Sequence, residues 1–459
     1  RRGAVADPLI SEERLSQAGE NRPQIERALA SGSADQRKAM RWLVQQMPLT
    51  DLTSLDSAYL LENARLALEA RQYTRWKQAI PDEIFLDAVL PYATINERRD
   101  RWRADFRERF LPLVAESMSP SEAAATLNQK IFDIVGVKYS TKRPKADQSP
   151  YESMESGLAS CTGLSVLLID ACRSVGVPAR FVGTPLWSDG SGNHSWVEIW
   201  DDGWQFTGAA EPTGDDLNRA WFTGRTSKAS RDDPRNGIYA VTWRSSPLSF
   251  PMVWAPENTS VRASDVTDRY TNASEPAAEG KSLVRFRLID GDSGNRCQAP
   301  IKVLGSDAEV LFEGESRDER FDANDHVTAQ LVAGEKVIVV AGEGSLCRVV
   351  SIRVEETEQL VSIELKPRTA AAASAEAIES LAAVLAICGA QTDLDSLPIA
   401  SVPLNRDDAD AAASLIWQAH SALIASRRAS EMEERELTIG DPEDAVLVSE
   451  SGHTFCDRS

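Results

Sequence analysis

Apolar residues recur at helical spacing through the first third of the chain. Residues 24–46, 54–70 and 96–114 each carry such a stripe with few glycines, so residues 1–135 are expected to form a helical region. Ser119-Pro120-Ser121-Glu122 supplies a cap and a first-turn proline for a further helix through Ile134. The polar, proline-bearing stretch 138–151 predicts a loop. Leu164, Leu167, Leu168, Ala171, Cys172 and Val175 then form one buried stripe, with Ser160 as N-cap. Gly176 and Pro178 end that helix, glycine suiting the left-handed position after the last turn. Past it the period drops to two. In His194-Ser-Trp-Val-Glu-Ile-Trp, Val197 and Ile199 share one face, and His194, Trp196 and Glu198 share the other.

Residues 267–281 are polar and predict a linker. Between 281 and 366 short alternating runs separated by Gly and Asp turns predict a small β-sandwich. An alanine-rich helical pair is expected at 373–388 and 406–434. The expected architecture is α+β: a helical region at 1–135, a catalytic core at 136–268, a β-sandwich at 281–366 and a helical segment at 369–459 that reads as cut short.

Composition narrows the function. The 459 residues are 42% hydrophobic and 26% charged, as in globular proteins. A formal net charge of −20 argues against nucleic acid as a partner. No apolar run approaches the ~20 residues a membrane helix needs, so no transmembrane segment is expected. The chain opens Arg-Arg-Gly, without an initiator Met or an apolar leader, and reads as a mature or truncated segment. Six cysteines, at 161, 172, 297, 347, 388 and 456, include no CxxC pair, so neither a metal site nor a cofactor is expected. Cys297 and Cys347 fall in one strand-rich region and are candidates for a disulfide.

Four histidines occur in all, and His194 is the only one before residue 326. Cys161 stands 33 residues before it, at the mouth of the helix. A helix N-terminus favours a thiolate, and its free N–H groups can hold an oxyanion. Cys172 lies in the buried stripe and reads as an inert thiol. Asp202-Gly203 is a strong two-residue hairpin signal. Taken literally it pairs 201 with 204 and sets Glu211 opposite His194, where a carboxylate would orient the imidazole. A three-residue loop would put Ala210 there instead. Asp201 and Asp202 read as turn residues, and Glu198 as a cleft-lining or solvated carboxylate. Asp189 and Asn193 flank a Gly-rich loop that could border the cleft.

Three ordered blocks carry a family resemblance: Ser160-Cys-Thr-Gly-Leu-Ser-Val-Leu, then Arg173-Ser-Val-Gly-Val-Pro-Ala-Arg-Phe-Val, then Asn193-His-Ser-Trp-Val-Glu-Ile-Trp-Asp-Asp-Gly-Trp. They resemble the transglutaminase-like core, a papain-like arrangement. The phrases Phe206-Thr-Gly-Ala-Ala-Glu-Pro, Leu217-Asn-Arg-Ala-Trp-Phe, Pro91-Tyr and Asn96-Glu97 are similar to a bacterial subgroup of such proteins. The resemblance implies Cys161 as nucleophile and His194 as general base and then acid. It implies an aspartate where this chain has Gly208, so Glu211 is the replacement that strand pairing offers. The Cys161 N–H is the expected oxyanion donor, with Asn96 and Trp196 as further oxyanion or cleft candidates.

The expected function is that of a thiol enzyme acting on amide or peptide bonds through an acyl-enzyme, a protease or amidase rather than a cross-linking acyltransferase. Its partner would be a protein or peptide substrate. The alternative is a catalytically degenerate binding or scaffold protein. The resemblance and the appended strands suggest secretion or the cell envelope.

Overall fold

The computed structural model describes residues 10–271, 280–305, 309–342, 346 and 348–366. Contacts divide the chain into residues 1–276 and 277–459. The helical pair expected at 373–434 lies outside the described residues, as do Cys347, Cys388 and Cys456.

In the N-terminal unit two of the expected helices are shorter than their stripes. The stretch 24–46 breaks into Arg22–Ala30 and Ala34–Gln46. Ser33 and Gln36 cap the second piece reciprocally, and Gly32 turns the chain at φ +89°. The stretch 96–114 is helical only over Trp102–Phe110, with a tight turn at Leu111–Val114. Ahead of it the Glu97 carboxylate accepts the Thr94 and Ile95 N–H groups at 2.6 and 2.7 Å, which holds this segment as a loop. Helices Ser57–Tyr73 and Pro120–Val135 form as expected, the latter capped by Ser119 and closed by Gly136 in the left-handed conformation.

A large apolar core spans the helices and one face of the sheet in this unit. Met40, Leu60, Phe106, Leu127, Leu168, Phe181 and Val197 are all buried in it, so the expected boundary at 135/136 crosses the middle of a continuous interior. Helix Cys161–Ser174 is its axis. Ser160 accepts the Gly163 N–H, and at the other end Val177 N–H reaches Cys172 O while Gly176 N–H reaches Arg173 O. That is a Schellman closure, with Gly176 at φ +83°. Cys172 is fully buried in the stripe, and burial pushes its thiol well up.

The short strands β1 (Lys138–Tyr139) and β2 (Leu158–Ala159) pair in parallel just before Cys161. The main sheet is antiparallel and comprises β3 (Ala179–Thr184), β4 (His194–Trp200), β5 (Trp204–Thr207), β6 (Tyr239–Val241), β7 (Leu248–Ser249) and β8 (Arg262–Asp265). Its order is β5-β4-β3-β6-β8-β7. Val197 and Ile199 face the helix, while Trp196 joins a second cluster on the opposite face.

The C-terminal unit has two sheets. Strands β9 (Lys281–Asp290), β12 (Val327–Val332) and β15 (Gln359–Leu365) form one. Strands β10 (Pro300–Leu304), β11 (Val310–Glu315), β13 (Lys336–Ala341) and β14 (Arg348–Arg353) form the other. Val284, Phe286, Ile301, Val303 and Val339 share one buried cluster between them. Cys297 carries a free thiol, and Cys347, its candidate disulfide partner, lies outside the described residues.

Candidate active site

Cys161 is the first residue of its helix and His194 the first of β4. The Cys161 Sγ lies within 4.8 Å of a His194 ring nitrogen. The sulfur is half-buried at a helix end whose first-turn N–H groups lack helical partners. Ser195, the next residue of β4, places its Oγ 3.4 Å from the sulfur, and Thr162 Oγ1 is 3.1 Å from Ser195 Oγ.

The imidazole is 2% exposed. Trp221 and Phe222 pack on it with ring centroids at 4.8 and 5.0 Å, and Trp196 and Trp187 stand at 5.9 and 6.0 Å. The loop before β4 is pinned from outside. Arg225 pairs with Asp189 at 2.8 Å and stacks over Trp187 at 4.7 Å. Asp189 also takes the Ser191 N–H at 3.0 Å, so the Gly-rich loop is tied down by its own acid.

The hairpin after β4 differs from expectation by one residue. Trp200 pairs with Trp204, so the turn holds three residues, Asp201 to Gly203. Asp201 leaves the strand because its carboxylate accepts the Ser121 N–H at 3.2 Å, on the first turn of helix Pro120–Val135. Asp202 takes φ 51° and Asp201 N–H bonds Gly203 O. Ladder pairing stops at Thr207, and continuing this register would put residue 210, not Glu211, across from His194.

Glu211 nevertheless comes to the same neighbourhood by another route. Its Oε2 accepts the Trp221 indole N–H at 2.9 Å, and that indole lies against the imidazole. The carboxylate folds back over Gly208, so that a Cβ on residue 208 would fall on Glu211 Oε2 and stand 3.0 Å from Glu211 Cβ. Only glycine there leaves room for it.

The other expected residues are placed as follows. Trp196 is fully buried, and its indole N–H is given to Tyr270 Oη at 2.7 Å. Asn96 donates to Asp147 at 2.7 Å and accepts from Trp254 at 3.1 Å, which uses both ends of its amide. Glu198 is neither cleft-lining nor solvated. It is 1% exposed and bound by Arg180 at 2.6 Å, Arg269 at 2.5 Å and the Tyr270 hydroxyl at 2.9 Å. Burial pushes its carboxyl up, and the two guanidinium charges outweigh that and hold it below its ordinary value. Sequence reasoning missed Ser195 and Trp221. By alternation Ser195 falls on the face away from His194, with Val197 and Ile199, and Trp221 lies in a family-like phrase that carries no charged or nucleophilic signal at that position.

A helix-borne thiol beside a strand-borne imidazole is the framework used by cysteine enzymes. Residues 110–209 match the model of the transglutaminase-like superfamily, and the chain carries a transglutaminase-like domain there. Among solved structures it is similar to a candidate cysteine protease from Cytophaga hutchinsonii, at 15% identity and a TM-score of 0.23. That match covers 27% of this chain and 42% of the other, so it spans less than half of that protein. No curated protein matches the chain in sequence. Among the described residues no helix is long and apolar enough to cross a membrane.

Proposed function

We propose that this is a thiol enzyme that hydrolyses amide or peptide bonds through a cysteine acyl-enzyme. The observation that carries the reading is the Cys161 sulfur, at a helix N-terminus, within 4.8 Å of the His194 ring. His194 takes the thiol proton, and the thiolate adds to the substrate carbonyl carbon. The oxyanion that forms meets the Cys161 backbone N–H. The C–N bond then breaks, the imidazolium gives its proton to the departing amine, and a thioester remains. A water molecule deprotonated by His194 attacks the thioester, the C–S bond breaks, and the acid and the thiolate are released.

Glu211 is proposed as the acidic member. Its negative charge sits on the indole that packs against the imidazole, and a nearby carboxylate favours the imidazolium. Asn96 and Trp196 receive no part in this scheme, because their side-chain amide and indole groups are already engaged. Water needs no second binding site, which is the ground for preferring hydrolysis to amine transfer. The two sheets of the C-terminal unit form a sandwich module suited to substrate positioning or spacing, in keeping with a secreted or envelope protein.

The test is a peptide library read for cleavage and for amine incorporation in parallel. Cys161→Ala is expected to abolish both, and Cys172→Ala to keep turnover per folded molecule while lowering the melting temperature. Turnover that survives in Cys161→Ala refutes the proposal. The enclosure of His194 at 2% exposure favours one second reading, a binding module. Peptide binding without turnover in the wild type, equal in Cys161→Ala, would establish it instead.

A further inference from the structure

The sulfur of Cys161 is approached from both faces of β4. His194 comes from one, and Ser195 from the face that packs on the helix. Ser195 is 3% exposed and Thr162 1% exposed, and their hydroxyl oxygens lie within hydrogen-bond distance at 3.1 Å. A hydroxyl has one proton, so the two contacts of Ser195 fix each other's direction. When Ser195 donates to the sulfur, Thr162 must donate to Ser195. When the sulfur is protonated and donates, Ser195 is free to donate to Thr162.

We propose that Thr162 and Ser195 form a two-hydroxyl relay whose polarity follows the protonation state of Cys161 and which stabilises its thiolate. This rests on the reading of Cys161 as the nucleophile. The relay moves no net proton; both hydroxyls rotate and keep their own hydrogens. Its effect is selective, because a thiolate is a strong acceptor and a thioester sulfur a poor one. Ser195 is therefore a positioning residue for the resting nucleophile rather than for the acyl-enzyme. Burial of both hydroxyls removes the water that would otherwise replace either one. The titratable group brought to the sulfur from β4 is the His194 imidazole, and the first turn of the helix holds no acidic side chain.

The experiment is the rate of iodoacetamide alkylation of Cys161 against pH in the full chain, read by mass spectrometry of the peptide that contains it. Hydrogen bonds to a charged group are among the stronger ones. Ser195→Ala is accordingly expected to move the midpoint upward by about one pH unit, which is roughly a tenfold lower rate on the acid side. Alkylation well above the midpoint should be unchanged. Thr162→Val, which keeps the shape and removes the hydroxyl, should shift the midpoint the same way, and the double variant little further. Thr162→Ser should restore the wild-type profile. Folding is checked by circular dichroism, and Thr162→Val stands in should Ser195→Ala not fold. A midpoint unmoved in both folded variants, or shifts that simply add, overturns the relay. A wild-type Cys161 that alkylates no faster than the denatured chain overturns the nucleophile itself, a result that the variant profiles leave separate.

Discussion

Removing the Glu198 carboxylate tests whether the conspicuous acid of the His194 strand serves folding rather than catalysis. Glu198 is 1% exposed and neutralises two arginines that differ in their access to water. The Arg269 side chain is 39% exposed, so it can turn outward and hydrate. Arg180 cannot, being 7% exposed, paired across β3 and β4 with Glu198, and held 3.7 Å over the Trp204 ring. Glu198→Ala therefore strands one buried guanidinium, which costs about 3–5 kcal/mol. For a unit of this size each kcal/mol moves the melting temperature by about 2–4 °C, so a drop of roughly 6–20 °C is expected. Arg269→Ala should cost about 1 kcal/mol or less, because its ion pair is partly in water. Urea unfolding followed by tryptophan fluorescence reads this unit, since Trp417 apart every tryptophan lies before residue 255. The pH dependence has a fixed sign. The folded carboxyl lies below its ordinary 4.5, so its contribution is complete above that value and is lost as pH falls through the lower folded one. Glu198→Ala should thus flatten the acid limb of the stability curve. A loss under about 1 kcal/mol with an unchanged acid limb would refute the argument that the pair is buried and unscreened.

Two glycines give sharper local tests. Gly208→Ala places a methyl on the Glu211 Oε2 position, so the carboxylate must leave Trp221. Turnover should fall about tenfold or more with little change in melting, as expected for loss of a group that favours the imidazolium; unchanged turnover would remove Glu211 from the mechanism. Gly176→Ala forces a side chain into φ +83° with its Cβ 2.7 Å from Thr74 Cγ2 and 2.9 Å from the Ala70 carbonyl oxygen. A loss of about 2–4 kcal/mol in urea unfolding is expected, and a change below about 1 kcal/mol would show that the closure relaxes.

Local chemistry made the Cys161 helix legible from end to end. Ser160 caps it and Gly176 closes it within three residues of the helix itself, and the stripe from Leu164 to Val175 is buried as its spacing predicts. Long-range ties were not legible. The stretch 96–114 has a helical stripe, yet Glu97 turns back on the Thr94 and Ile95 amides and Arg99 reaches Asp51, 48 residues earlier. The hairpin register slipped by one for the same kind of reason. Asp202-Gly203 satisfies the local rule for a two-residue turn, but Asp201 is drawn to an N–H group 80 residues upstream. Glu198 lay on the predicted face, and its role was decided by Arg180 across the sheet and Arg269 some 70 residues later.

Alternation along β4 was correct and still concealed Ser195. In the middle of a sheet a residue facing the helix cannot touch what its neighbour touches on the other side. At the end of the strand that separation ends, because the first residue of the helix reaches past the sheet and its sulfur meets one residue from each face. The acid follows a related logic. Strand pairing cannot bring Glu211 to His194 once the register moves, but pairing is not what locates it. The gap left by Gly208 admits its carboxylate, and the indole of Trp221 holds that carboxylate on one side while packing against the imidazole on the other. The proposed link between acid and base therefore runs through residues on irregular segments, where periodicity is silent. On the proposal that Glu211 is the acid, a glycine at 208 and a tryptophan at 221 are as necessary to the site as the charged residue they seat.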